Sequence, residues 1–196
     1  MNKNDIRFMK TDEAIRNAFI ECVEGGSLDS VHVNSICAMA GISRRAFYAH
    51  YIDKYDLLDS LFQKLKDDIR SELTPRIVEQ MVAGDFLEPT RWHMDRVAKN
   101  RRIIRPILRL SRQAYIDLCI ELFYDLPWSD RVADYDLKKK DPKVYLSISY
   151  LVNGMVGLVE TWLEHFEEVS FDDALHLMTL LCEKPAAQFV NILMKE

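Results

Sequence analysis

AGISRRAFYAHYIDKYDLL, residues 40–58, sets two adjacent arginines behind a serine, follows them with aromatics, and closes on Asp53, Lys54 and a leucine pair. Gly41 suits the left-handed residue that ends one helix, and Ser43 suits the N-cap of the next. Ile42 before that cap and Phe47 at the fourth helical position form a staple pair, which fixes the angle of chain entry. Asp53 is placed to cap a further helix, whose Leu58, Leu61, Phe62, Leu65 and Ile69 make an apolar stripe. Upstream, a short helix from about Asn34 to Ala40 carries Ile36 and Ala40 on one face. The spacing predicts helix, short turn, helix.

In the helix after Ser43 the staple turns Phe47 and Tyr51 inward. The opposite face then carries Arg44, Arg45, Tyr48 and Ala49. Arginine at a helix N-terminus is electrostatically unfavourable for the helix, which makes sense if an anionic partner lies in front of it. In a DNA major groove the fork of arginine can pair with O6 and N7 of guanine, and a small residue such as Ala49 allows close approach. Tyr48 and Lys54 suit phosphate oxygens, which fix register without reading sequence. On spacing alone, a solvated face with two arginines and a core of aromatics reads the same way.

The surrounding sequence is helical throughout. Thr11, with Asp12 and Glu13 behind it, is a candidate N-cap for a first helix bearing Ile15, Ala18, Phe19 and Cys22, which Gly25-Gly26 stops. The apolar stripe after Asp53 runs out near Leu73 and Pro75. Further helices are predicted over 76–83, 90–99, 101–125, 143–167 and from 172 to the C-terminus. Pro106 and Pro185 are expected to kink or interrupt two of them. Residues 126–142 read as a polar loop. No strand pattern, repeat or low-complexity tract is evident. The expected fold is all-α: an N-terminal three-helix helix-turn-helix head over 1–73, and a larger helical ligand-binding and dimerisation domain over 74–196.

Net charge is −5, and acidic residues slightly outnumber basic ones even over 1–73, so any contact with nucleic acid must come from local geometry. No stretch approaches 18 uncharged apolar residues, and MNKNDIRFMK lacks the apolar core of an export signal. No membrane span and a cytoplasmic location are therefore expected. Cys22, Cys37, Cys119 and Cys182 are widely spaced with no CxxC pair, which reads as reduced, buried thiols.

Three blocks together resemble the N-terminal signature of tetracycline-repressor (TetR)-type transcriptional regulators: Ile36-Cys-Ala-Met-Ala-Gly-Ile-Ser43, Ala46-Phe-Tyr-Ala-His-Tyr51 and Asp53-Lys-Tyr-Asp-Leu-Leu58. The likeness covers about residues 11–60. His32 stands where a threonine usually caps the second helix, Cys37 where alanine is typical, and Tyr55 where glutamate is typical. The resemblance implies an all-helical homodimer with a DNA-reading head and a divergent ligand domain. By position, Ser43, Arg44 and Arg45 open the recognition helix, and Tyr48, His50 and Lys54 match positions that touch DNA, mostly its backbone.

In the second half, Asn153-Gly-Met-Val-Gly-Leu-Val-Glu-Thr-Trp-Leu163 resembles a C-terminal type found among regulators of dihydroxyacetone-kinase operons. In the family the last two long helices pair across a four-helix dimer interface. Here Leu146, Met155, Leu158, Leu175, Met178, Leu181 and Phe189 offer apolar surface for that interface or for the monomer core. An effector pocket within 90–167 is expected to draw on Trp92, Met94, Tyr115, Phe123, Tyr150 and Trp162, unless these are simply core. Arg102, Arg105, Arg109 and Arg112 follow helical spacing, so the basic segment 91–112 is either a site for an anionic effector or a solvated face.

These features point to a ligand-responsive regulator, most often a repressor in this family, binding a palindromic operator as a homodimer. The alternative is a dimeric helical adaptor that binds a protein partner without an operator of its own. No nucleophile–base constellation, GxSxG, P-loop, GxGxxG or HExxH occurs, so no enzyme activity, cofactor or metal is expected.

Overall fold

The computed structural model describes residues 3–24 and 28–194, and the described residues form an all-α fold with no strand among them. In chain order the helices are α1 (Lys3–Glu24), α2 (Val33–Ala40), α3 (Arg44–Tyr48), α4 (Lys54–Arg70), α5 (Pro75–Val82), α6 (Leu87–Lys99), α7 (Arg101–Asp125), α8 (Tyr135–Lys140), α9 (Pro142–Glu164) and α10 (Phe171–Met194). Short 3-10 turns occupy Leu28–Ser30 and Trp128–Asp130. The expected stop at Gly25-Gly26 lies outside the described residues.

Two compact units result: Met1–Leu65 with Arg102–Ser111, and Lys66–Arg101 with Arg112–Glu196. Compactness thus divides the chain differently from the single cut at 73/74, because α4 and α7 each contribute to both units.

In the first unit, Ile15, Ala18, Phe19 and Val23 of α1 are buried, as are Ile36 and Cys37 of α2, Phe47 of α3, and Leu57, Leu58, Leu61 and Leu65 of α4. α1 begins well before the expected cap. Thr11 lies inside it, and its hydroxyl donates back to Arg7 O at 2.9 Å. α2 ends at Gly41, whose φ of 65° is left-handed and lets the Ile42 amide reach Cys37 O at 3.0 Å. At its other end, His32 makes no side-chain cap. α4 starts with a reciprocal cap: Asp53 Oδ1 accepts from the amides of Tyr55 and Asp56, while Asp56 Oδ2 accepts from the Ile52 amide at 2.8 Å.

In the second unit α9 and α10 pack together, and α10 also meets α5 and α6. Ile148, Val152, Val156 and Val159 of α9 and Leu175, Met178, Phe189 and Leu193 of α10 supply the buried surface. Ion pairs join Lys66 to Glu121, Arg70 to Asp125 and Arg96 to Glu72. α9 is long and apolar enough to cross a bilayer by length and composition alone. Its Val144, Ile148, Leu151, Val152, Val156 and Val159 are buried within the fold.

Three expectations about breaks are corrected. Pro185 lies within α10, and Pro106 within α7. The break in α7 falls at Ser111, with φ −157° and ψ 79°. The segment 126–142 is an anchored connection with α8 inside it, because polar flanks hide Leu126, Trp128 and Val132, which are all buried. Trp128 donates from Nε1 to Phe123 O at 2.9 Å and stands edge-on to Phe189.

Candidate nucleic-acid interface

The turn Gly41–Ser43 sets the start of α3. Ser43 has extended backbone, and its Oγ accepts from the Ala46 amide at 3.1 Å, which supplies a partner for one of the free N–H groups of that helix end. Phe47 is fully buried, so the rest of the helix is oriented by it. Arg44, Arg45, Tyr48 and Ala49 are exposed on the other side. Arg44 Nη2 donates to the Tyr48 hydroxyl at 3.4 Å, and its guanidinium carbon lies 5.8 Å from the ring centre. The Arg45 side chain forms no ion pair or hydrogen bond with the described residues. α3 carries no acidic residue, so two uncancelled positive charges and a phenol share one surface.

Two expected members of this surface lie elsewhere. The His50 side chain is only 5% exposed, its ring stacked on Phe8 with centroids 3.8 Å apart and Nδ1 3.7 Å from Asp12 Oδ1. The stacking turns it toward α1 and away from the face of Arg44. Lys54 Nζ donates to Leu28 O at 2.8 Å, Val31 O at 3.0 Å and Asp29 O at 3.4 Å. The Leu28 carbonyl also accepts from the Val31 amide at 3.1 Å, and the ammonium of Lys54 gathers it with the carbonyls at the end of the 3-10 turn. Both interactions join residues far apart in sequence, so helical spacing alone could not reveal them.

The expected effector-pocket residues are scattered through several elements of the second unit. Met94, Tyr115 and Trp162 are buried, while Trp92 and Phe123 are partly so. Trp162 donates from Nε1 to Val169 O at 3.1 Å and packs against Phe171, a core arrangement. Tyr150 is 72% exposed on α9 and is removed from the set, because it faces outward. A shallow depression of about 380 Å³ at Val132–Leu137 contains none of these residues.

Burial holds the interior titratable groups neutral. The His93 imidazole is pushed down to about 4, the Cys119 thiol up to about 12 and the Cys182 thiol up to about 11. Thiols held protonated in this way are poor nucleophiles. No cluster of His, Cys, Asp or Glu that could hold a metal occurs among the described residues.

The expected interface residues divide into two groups. Leu175, Met178 and Phe189 are buried in their own unit, where the α9–α10 packing consumes them, so they offer no surface to a partner. Leu146 and Leu181 are 68% and 56% exposed, and Met155 and Leu158 are half-buried. Tyr145, Tyr150, Leu177 and Leu180 extend the exposed apolar surface of α9 and α10. The arginine series does not form one stripe. Ser111 interrupts the helix before Arg112, which donates from Nε to Glu160 at 3.0 Å. Arg102 meets Glu21 at 3.8 Å, and Arg101 lies over the ring of Phe166.

No protein-family model matches the chain.

Proposed function

We propose that this chain is a ligand-responsive, DNA-binding transcriptional regulator of the tetracycline-repressor type. It acts in the cytoplasm as a homodimer, represses from a palindromic operator, and is released by a small-molecule effector bound in the larger helical region. The observation that carries the reading is the outer face of α3, where Arg44, Arg45, Tyr48 and Ala49 stand exposed on a helix whose start is capped and whose inner side is locked by Phe47. That composition matches what a major groove accepts: a forked cation for guanine, a small residue for close approach, and a phenol for phosphate.

The second support is the exposed apolar surface of α9 and α10 around Leu146, Tyr150, Leu177, Leu180 and Leu181. Surface of this kind, if contiguous, marks an association site. A second copy suits it, because two recognition helices then read two half-sites one or more helical turns apart. An effector that changes how the two heads are held alters DNA affinity, and DNA alters effector affinity by the same factor. Against an adaptor without an operator stand two exposed arginines on a helix that carries no acidic residue of its own.

The test is selection of bound duplexes from a random pool at two salt concentrations. The expected result is a palindrome whose recovery falls as salt rises, since phosphate contacts release counterions. Absence of enrichment by a folded dimer, with and without cell extract as a source of effector, would reject the regulator in favour of the adaptor.

A further inference from the structure

α3 has five residues, too few to hold a conformation through its own hydrogen bonds. Its start is fixed by the Ser43 cap and the Gly41 turn. Its end continues into Tyr51, whose amide donates to Phe47 O at 3.0 Å, so the Tyr51 side chain turns with the helix. Tyr51 is 5% exposed, and its hydroxyl donates to Asp12 Oδ1 and accepts from Arg16 Nε at 3.1 Å. Arg16 Nε also donates to Asp12 Oδ2 at 2.8 Å. His50, stacked on Phe8, brings Nδ1 within 3.7 Å of the same carboxylate.

We infer that Asp12 is a positioning residue for the outer face of α3: from α1 it holds Tyr51, and so sets the angle at which Arg44, Arg45 and Tyr48 leave the unit. This rests on the reading that α3 meets DNA. Apolar burial of Phe47 sets which side of the short helix faces inward, but because burial is non-directional it does not by itself fix the angle of the outer face. A hydroxyl adds nothing to that burial and costs desolvation unless it is bonded, so what Tyr51 contributes over a phenyl ring is direction. The carboxylate acceptor makes the bond stronger than one between neutral groups. Asp12 is the acid on which Arg16 and Tyr51 converge, while Arg16 Nη1 and His50 Nδ1 are buried without hydrogen-bond partners.

The full chain carrying Asp12→Asn or Tyr51→Phe tests this with three readouts: thermal melting, hydrogen exchange of the α3 amides without DNA, and affinity for operator against an unrelated duplex. In Tyr51→Phe the fold is expected to persist and the amides of residues 47–51 to exchange about tenfold faster. Operator affinity is expected to fall about tenfold while affinity for the unrelated duplex and its salt slope stay unchanged, since no phosphate contact is lost. A merely structural role lowers both affinities by the same factor by depleting the folded fraction, and that result overturns the inference. An unchanged operator preference with unchanged exchange overturns it too. If Asp12→Asn does not fold, Tyr51→Phe, which removes one hydroxyl, decides alone. If the parent chain selects no operator, the DNA reading fails by itself. Exchange then judges the positioning: faster exchange in α3 sustains it, and unchanged protection overturns it.

Discussion

Arg44 lies along Tyr48 on the outer side of α3, its Nη2 3.4 Å from the phenolic oxygen and its guanidinium carbon 5.8 Å from the ring centre. Residues four apart on a helix are neighbours, and a guanidinium beside an aromatic ring loses freedom before any ligand arrives. The pair is therefore partly ordered in advance, which on the proposed DNA-binding reading lowers the entropic cost of docking it against a base edge.

Arg44→Ala and Arg45→Ala are each expected to weaken operator binding by roughly 1–3 kcal/mol, with relaxed preference at one base position, if the arginine is bidentate to guanine. Melting temperature is expected to stay near that of the parent, since both side chains are exposed. Competition binding against single-base operator variants measures this. Wild-type affinity and selectivity in both variants would remove these arginines from the readout.

Lys54→Ala is expected to act on stability. The change strips the carbonyls of Leu28, Asp29 and Val31 of their common donor. A cost of about 1–3 kcal/mol follows from removing a charged donor from the part-buried carbonyls of Leu28 and Val31, of which Leu28 O keeps its bond from the Val31 amide. The salt slope of DNA binding is expected to remain that of the parent. A variant of unchanged melting temperature whose slope drops by one phosphate per subunit would restore Lys54 to the contact surface.

Leu146→Glu and Leu181→Glu place charge on the exposed face of α9 and α10, where each leucine is more than half exposed. Both are expected to yield folded monomers in sedimentation. Met178→Ala is different in kind. That side chain is 1% exposed, so the expected effect is a loss of about 2–5 kcal/mol of stability with the association state intact. A stable dimer in both leucine variants would move the interface to another surface.

His93 supplies a pH signature. Its folded value is depressed to about 4 by burial, so the unfolded chain takes up the proton first. The neutral ring contributes fully above the unfolded value, and that contribution is lost as pH falls from about 6.5 to about 4, by up to roughly 3 kcal/mol. Melting curves of the parent and His93→Gln between pH 7.5 and pH 4 are expected to diverge, the parent losing more. Parallel curves would mean that the ring is solvated in the native state.

The fold was legible where the physics is local. Gly41, Ser43 and Asp53 each act within a few residues of their own backbone, so their types and spacing suffice to place the turn and two helix starts. Phe47 and Tyr51 were legible as inward residues for the same reason. The intramolecular partners of Lys54 and His50 were not legible, because they lie at Leu28, Val31, Phe8 and Asp12, across distances that helical periodicity does not encode. Trp128 was lost among the polar residues 129–141, although an indole usually finds both cover and a hydrogen-bond acceptor. The apolar face of α10 was visible as a whole, but dividing it into buried Met178 and exposed Leu181 required the register of α9 against it.

The bonds from Lys54 to the carbonyls of Leu28 and Val31 close a ring of chain around α2, the turn and α3. What fastens the ring lies inside it or beneath it: Lys54, Phe47, the Ser43 cap, the Gly41 turn, and Tyr51 held by Asp12 of α1. The side chains of Arg44 and Arg45 bond to no described residue outside α3, and Tyr48 touches the fold where its ring stands edge-on to Phe47. Sequence change can therefore rewrite the outer face of α3 one residue at a time without taxing the fold, so the ring is a cassette in which the text is separable from the binding that holds its pages.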